Sequence, residues 1–337
     1  MSVPPAPATI IDVARVAGVS RQTVSRALND MADVRATTKA RVIAAARELN
    51  YRPNRAAQSM VRGRRTIIGL VLEDLSNPYF AELAAAVNRV AADRDWGVLL
   101  CDVGTDRGKA RGQLATIVSG VDALVLTGCR TDTLSLLPED VLRGGQRRLP
   151  LVMIDGPADE RLNGRVVLEV EQGVRAAVDR LVAQGRRRIA FLGSEVGTDV
   201  RRDVFRAGLE EHDLSWRDLP ALVAEESMEG GMRGAGELLE QCPELDAVLV
   251  YNDIMALGVL KSLARAGRRV PEEVAVIGVD GLDIGRLVTP ELTTLAIDKA
   301  RLAEAAVTLL ERAFSDGGTG PVGESVVGLT LLLRDSA

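Results

Sequence analysis

A chain of 337 residues, 47% hydrophobic and 26% charged, is too long for one typical domain and long enough for two or three with separate cores. Its net charge of -5 hides a division: residues 1–65 hold 12 Lys/Arg and 4 Asp/Glu, the remainder 30 and 43, so a head of +8 precedes a body of −13. That asymmetry points to a polyanion for the head alone. Three scattered cysteines (Cys101, Cys129, Cys242) and a single histidine, His212, support neither a disulfide framework nor a zinc site.

The Pro- and Ala-rich start, Met1 to Ala8, has neither a basic n-region nor an apolar h-region, and no apolar run reaches the length needed to cross a bilayer. The expected compartment is the cytoplasm. Thr9-Ile10-Ile11-Asp12 then reads as a capping box opening a first helix, with Val13, Ala14 and Ala17 on one face. Gly18 and Val19 make a turn, Ser20 suits the cap of a second helix, and Val24, Ala27 and Leu28 repeat the apolar spacing. The opposite face of that helix carries Arg21, Gln22, Ser25 and Arg26. Arg and Gln can engage major-groove donors and acceptors two at a time, and hydroxyls can reach phosphates. By itself the helix pair fits either a helix-turn-helix or an ordinary trihelical module with a solvated polar face.

A third amphipathic helix is expected over Thr38 to Leu49, with Val42, Ile43, Ala46 and Leu49 closing a small core. The basic run Asn50 to Gly63 follows, in which Pro53 suits the start of a short helix and Gly63 its exit. The ordered run Ile11 to Ser20, Thr23 to Asn29 and Leu49-Asn50-Tyr51-Arg52-Pro53-Asn54 resembles the lactose-repressor (LacI/GalR) family of bacterial transcription regulators. The resemblance implies that Arg21, Gln22 and Arg26 face base edges. It assigns Ser20, Thr23, Ser25, Asn29 and Tyr51 to phosphates or sugars, and Thr9 to the cap and the DNA backbone. Asn54, Ala57 and Gln58 would belong to a hinge helix in the minor groove. Met60 stands where that family usually inserts a leucine between base pairs; its flexible apolar side chain suits a wedge, or else packs against its own domain.

From Arg64 onward strands and helices alternate. Strands are expected at Thr66–Leu72, Gly97–Val103, Ala123–Leu126 and Leu151–Ile154, with helices at Pro78–Arg94 and about Lys109–Val118. After Gly164 the pattern restarts: helix Gln172–Gln184, strand Arg188–Leu192, helix Val200–Glu211, strand Ala247–Val250, helix Asp253–Ala266, strand Val274–Val279. This implies two α/β lobes in succession, each a parallel sheet covered on both faces. Ligands in such folds bind beyond the carboxyl ends of strands. That places Asp74 and Ser76-Asn77-Pro78-Tyr79-Phe80, Asp155, Asn252-Asp253 and Asp280 where a ligand could meet them. Each alone fits a cap or turn; their repetition at equivalent strand ends carries more weight.

Ser76 to Phe80, Arg187 to Gly193, Asn252 to Gly258, Gly278-Val279-Asp280 and Thr289 to Thr294 are similar to landmarks of the same family's effector-binding core, itself similar to periplasmic sugar-binding proteins. The resemblance thus spans about residues 9–334. It implies Asp74, Tyr79, Phe80, Asp155, Arg201, Asn252 and Asp280 as pocket residues. Carboxylates and Asn suit hydroxyls, Arg a ring oxygen or anion, and an aromatic ring an apolar sugar face. Four positions depart from the pattern: Val204 replaces a glycine, Gly156 a larger polar residue, and Ile297 a glutamine, while Glu229 falls near an expected aromatic. Either the pocket has exchanged an aromatic platform for a carboxylate at Glu229, favouring a cationic or small ligand, or the loop register there is displaced by a residue or two.

The expected architecture is an all-α helix-turn-helix headpiece at 9–52 and a hinge helix and linker at 53–65. An α/β core of two parallel-sheet lobes at 66–337, of the periplasmic-binding type, then binds effector and dimerises. The expected function is a sequence-specific transcriptional regulator, a repressor, whose affinity for a pseudo-palindromic duplex is set by a sugar-like effector. It would act as a homodimer without cofactor, metal or membrane partner. Only four residues follow Leu333, so no heptad extension for a tetramer is expected. A stand-alone periplasmic-type ligand-binding protein is the alternative, opposed by the basic head. Enzyme function is disfavoured because no GxxxxGK[ST], GxGxxG after a strand, or GxSxG pattern occurs.

Overall fold

The computed structural model describes residues 10–28, 34–49, 65–104, 106–127, 133–142, 149–195, 200–216, 219, 222–316 and 320–337. Contacts divide the chain into two units, 1–65 and 66–337. In the first unit, α1 (Ile10–Ala17) ends where Gly18 takes φ 63°, a left-handed conformation that a side chain would resist. Val19 N donates to Ala14 O at 3.1 Å and Gly18 N to Arg15 O at 3.4 Å, the paired bonds of a Schellman stop. Ser20 Oγ accepts from Thr23 N at 3.2 Å and so caps α2 (Arg21–Leu28). Helix α3 (Ala36–Glu48) completes the core of Val13, Ala14, Ala17, Val24, Ala27, Val42, Ala45 and Ala46. Ile43, expected inside, is exposed, and Ala45 takes the inner place. The buried face of α3 runs 42, 45, 46, 49, and position 43 lies about 100° away from 42 around the helix. Residues 53–64, where the hinge helix is expected, lie outside the described residues.

In the second unit the strands follow the order β2-β1-β3-β4-β5-β11-β10-β9-β8-β6-β7. The first lobe's sheet contains β1 (Ile67–Leu72), β2 (Gly97–Asp102), β3 (Ala123–Thr127), β4 (Leu151–Ile154) and β5 (Gly164–Glu169). The second contains β6 (Ile189–Ser194), β7 (Leu222–Ala224), β8 (Ala247–Val250), β9 (Ala275–Asp280) and β10 (Thr293–Ile297). One long strand, β11 (Gly323–Leu332), belongs to both: its first half pairs parallel with β5 and its second half antiparallel with β10. Every other pairing is parallel, which requires helical crossovers and produces strands buried on both faces, as β3, β4, β6, β8 and β9 are.

The lobes are therefore not simply successive. Helices α4 (Pro78–Ala92), α5 (Arg107–Val118) and the short α6 (Glu139–Leu142) follow first-lobe strands, while α7 (Glu171–Ala183), α8 (Val200–Glu211), α9 (Met228–Gln241) and α10 (Asp253–Arg265) accompany the second. The last helix, α11 (Lys299–Ser315), then returns to pack on α4, β4 and β5 of the first lobe. Arg94, at the end of α4, grips Glu304 and Glu311 of α11 at 2.6 and 2.8 Å. The elements expected from sequence end at Val279 and lack β5, β7, α6 and α9 as well; β10, α11 and β11 are structural additions. Among the described residues no helix is long and apolar enough to cross a membrane.

Helices α9 and α10 approach closely because Gly231 faces the Met255 carbonyl and Gly258 faces that of Met228; a Cβ at either position would penetrate the opposing backbone. Gly236, on the same helix α9, has nothing within 4 Å of its added Cβ. Gly231→Ala should destabilise the unit by more than about 2 kcal/mol through overpacking. Gly236→Ala should stabilise it by about 0.5–1 kcal/mol through reduced unfolded-state entropy. Denaturant midpoints of the two variants check this contrast, and equal effects would contradict the packing account.

Candidate functional site

The carboxyl ends of the strands carry the chemistry. Asp155 follows β4 with φ 51°, and Asp280 closes β9 with φ 123°, both conformations that a non-glycine residue adopts at a cost of about 1–3 kcal/mol. Arg201 enters from the first turn of α8, 9% exposed. Its Nη1 donates to Tyr251 O at 2.7 Å, its guanidinium carbon lies 4.6 Å from the Tyr251 ring centroid, and its Nη2 lies 4.0 Å from Asp155 Oδ2. Asp155 comes from the first lobe, Arg201 and Asp280 from the second, so the group spans both lobes.

Carboxyls crowd this end of the strands. Burial pushes the Asp280 carboxyl well above its usual range, the neighbouring Asp253 adds to this, and Arg201 and Lys299 oppose it. Burial likewise raises Asp155 against the pull of Arg201, and raises the Tyr79 hydroxyl, with Asp155 and Asp280 contributing. The side chain of Asp155 is still 41% exposed, open to a ligand although protein atoms surround it. Asp253 is fully buried, accepts from Leu282 N at 2.7 Å and Thr294 Oγ1 at 2.6 Å, and is pushed up to about 6 by burial despite those bonds. Lys299 ties the two sides together: its Nζ meets the Asp280 carbonyl and lies 3.1 Å from Glu82 Oε2 on α4, 5.9 Å from the Tyr79 ring centroid.

The structure brings Tyr79, Asp155, Arg201 and Asp280 together. Phe80 packs edge-on against Tyr79, with ring centroids 5.2 Å apart, and belongs to the core. Asn252, 3% exposed, spends its Oδ1 on the Met255 amide at 2.9 Å, capping α10 at the end of β8. Asp74 is exposed and accepts from Ser76 N and Oγ at 2.8 and 2.6 Å, holding its own loop. Glu229 stands exposed in the first turn of α9, and the carboxylate whose charge bears on Tyr251 and Asp280 is that of Glu226. Tyr251, Glu226 and Lys299 escape the sequence reading, although Tyr251 adjoins the Asn252-Asp253 landmark and Glu226 directly precedes the α9 cap, Ser227.

In the head, Arg21, Gln22 and Arg26 are exposed on α2, while Ser20 and Thr23 share a hydroxyl contact of 2.9 Å at its start. Ser25 lies within α2. Thr9, Asn29, Tyr51, Asn54, Ala57, Gln58 and Met60 lie outside the described residues.

Residues 178–337 match the periplasmic binding protein-like domain, and residues 9–54 match the bacterial regulatory proteins of the lacI family. A ribose operon repressor of Halalkalibacterium halodurans is 32% identical over 291 residues, covering 85% of this chain and 84% of that protein. The transcriptional repressor PurR of Serratia proteamaculans is 33% identical over 309 residues, covering 90% and 89%. The crystal structure of the lac repressor dimer bound to operator and the anti-inducer ONPF aligns with a TM-score of 0.80 at 26% identity, covering 98% of this chain and 99% of that one. The chain belongs to the lacI family of bacterial regulatory proteins. Its relatives are repressors and not enzymes.

A lacI-family core that holds a carboxylate raised by burial carries a stability cost at neutral pH. For Asp280 the folded value lies above the unfolded one, so the fold is penalised above the folded value and the penalty vanishes as pH falls below the unfolded value near 3.8. Asp280→Asn should therefore raise Tm at pH 7.5 by about 3 °C or more and by clearly less at pH 5. Thermal denaturation at the two pH values checks this; a lower Tm at pH 7.5 would contradict it.

Proposed function

We infer that this protein is a repressor that binds a pseudo-palindromic operator as a homodimer and whose grip on DNA is set by a small polar effector, sugar-like in its hydroxyls, bound between the lobes. The observation that carries the DNA reading is the division of α2: Val24 and Ala27 are buried in the head core while Arg21, Gln22 and Arg26 are exposed on a unit of +8. A positively charged helix of that kind suits the major groove, with arginines paired to guanine edges and hydroxyls on phosphates.

The proposed organisation is a headpiece at 9–52, a hinge and linker at 53–65 and an effector-binding, dimerising core at 66–337. Ser20, Thr23, Ser25, Asn29 and Tyr51 would hold phosphates or sugars, with Thr9 at the backbone. Asn54, Ala57 and Gln58 would lie in the minor groove, and Met60 would wedge between base pairs. The relatives' names support the class of function: one is a ribose operon repressor, and the lac repressor is found as a dimer on its operator. The proposed location is the cytoplasm, on the nucleoid when DNA is bound.

Asp155, Arg201, Asn252 and Asp280, with Tyr79 beside them, are the proposed effector contacts; Asp74, Phe80 and Glu229 support this role less, since each is engaged or placed elsewhere. A ligand bridging Asp155 of one lobe and Arg201 of the other favours closure, and closure alters the spacing of the hinges in a dimer. By linkage the effector changes DNA affinity only as far as it binds the two core states differently, typically by about 1–3 kcal/mol.

Arg26→Ala should relax base preference at one position of each half-site and cost about 1–3 kcal/mol, measured by competition binding with single-substituted duplexes. Affinity of the unaltered protein should fall steeply with salt as phosphate contacts release counterions. An unchanged base preference in Arg26→Ala would refute the reading of α2, and a flat salt response would favour a stand-alone ligand-binding protein.

A further inference from the structure

We propose that Thr294 and Asp253 are positioning residues for effector binding: they fix the turn Asp280-Gly281-Leu282 and so hold the Asp280 carboxyl where a ligand meets it, an inference that rests on the effector reading given above. The turn is costly by itself. Asp280 takes φ 123° and Gly281 φ 70°, two successive positive values, and a Cβ on Gly281 would lie 2.6 Å from that of Ala296. For an aspartate such backbone persists only where the surroundings over-determine it.

The surroundings do so. Gly281 N donates to Thr294 Oγ1 at 3.1 Å, and Leu282 N donates to Asp253 Oδ2 at 2.7 Å. The Thr294 hydroxyl in turn donates to Asp253 Oδ1 at 2.6 Å, so the two side chains act as one clamp. On the other side Lys299 Nζ donates to the Asp280 carbonyl and, at 3.4 Å, to that of Gly281. Two amides and two carbonyls of the turn are thus held by three side chains. The clamp also needs Gly278, where a Cβ would collide with Asp253 Oδ1.

Thr294 and Asp253 are both fully buried, so neither touches a ligand; they act through Asp280. Asp280 closes β9, and among the described residues no hydrogen bond reaches its carboxylate. The turn also stands beside the first lobe, because Lys299 Nζ lies 3.1 Å from Glu82 Oε2 on α4 and 5.9 Å from the Tyr79 ring centroid. Burying a carboxylate to anchor a turn is expensive, and an ordinary strand end does without it. The expense is accounted for by the side chain that the turn presents, since a binding group must be held to within about 0.5 Å by supporting hydrogen bonds.

The test compares Thr294→Val, which keeps the shape and removes the hydroxyl, with Thr294→Ser, which keeps the hydroxyl. Leu114→Ala, a cavity in the separate core of the first lobe, controls for stability loss alone. Lys299→Met, which releases the two carbonyls, takes the place of Thr294→Val if that variant does not fold. Each full-length protein is followed by amide hydrogen exchange over Val279–Leu287 and titrated calorimetrically with D-ribose, D-glucose, D-galactose, D-mannose, lactose and cellobiose. In Thr294→Val, exchange over the turn should quicken about tenfold or more while β6 and β8 stay protected. Affinity for the sugar that the unaltered protein binds should fall about tenfold or more. Thr294→Ser should restore both, and Leu114→Ala should leave affinity within about threefold of the unaltered value. An unchanged turn or unchanged affinity in Thr294→Val, or an equal loss of affinity in Leu114→Ala, overturns the proposal and leaves the effector reading standing. Binding of none of these sugars by the unaltered protein counts against both.

Discussion

Arg201 lies among the carboxylates that end the strands, and the arrangement of the core follows from what it can and cannot satisfy. Its guanidinium lies against the Tyr251 ring and carbonyl and reaches Asp155 only at 4.0 Å, so the attraction across the lobes is present but unfinished. Asp155 and Asp280 are held in left-handed or positive-φ backbone, and both carboxyls are raised by burial. A site that keeps backbone strain and desolvated carboxyls in its ground state gives stability away, a common cost of function. On the proposed reading, a ligand that completes this group also favours closure of the lobes.

The fold bears directly on that closure. Strand β11 runs through both sheets and α11 returns to the first lobe, so the lobes are joined by continuous backbone rather than by a linker. Lys299, at the start of α11, reaches the end of β9 and Glu82 on α4 and so links the two lobes as well. In the head, the corresponding constraint is Gly18. Its left-handed turn sets the angle between α1 and α2, burying Val24 and Ala27 and leaving Arg21, Gln22 and Arg26 outside.

Much of this was legible in the sequence because it is written in local chemistry. The Gly18-Val19-Ser20 turn carries its own stop and cap, and Val200–Glu211 and Ala247–Val250 coincide with α8 and β8 residue for residue. Tyr79, Asp155 and Asp280 are candidates because strand ends in parallel sheets converge, whereas Arg201, on a helix, is implied only by the family resemblance. The rest depended on tertiary context. Strand β11 alternates exposed and buried positions and changes partner midway, so no single pattern describes it. Helix α11 carries a local apolar stripe, Leu302, Ala306, Leu309, Leu310 and Ala313, behind its Asp298 cap; only its return to the first lobe depends on tertiary context. Glu226 and Glu229 both lie near Ser227, and that Glu226 is held by Ser194 while Glu229 stands exposed on α9 is a tertiary outcome that spacing does not reveal. Asp74 has the composition of a ligand-binding residue, yet its oxygen is used by Ser76.

The central claim is that one chain joins a sequence-reading head to a ligand-completed cleft. The most direct measurement is selection of random duplex DNA by the purified full-length protein, repeated in the presence of a panel of sugars, amino sugars, polyols and nucleobases. The account predicts enrichment of a pseudo-palindromic site and at least one compound that abolishes or strengthens that enrichment. No enriched site under any condition, or an enriched site indifferent to every compound, would contradict it.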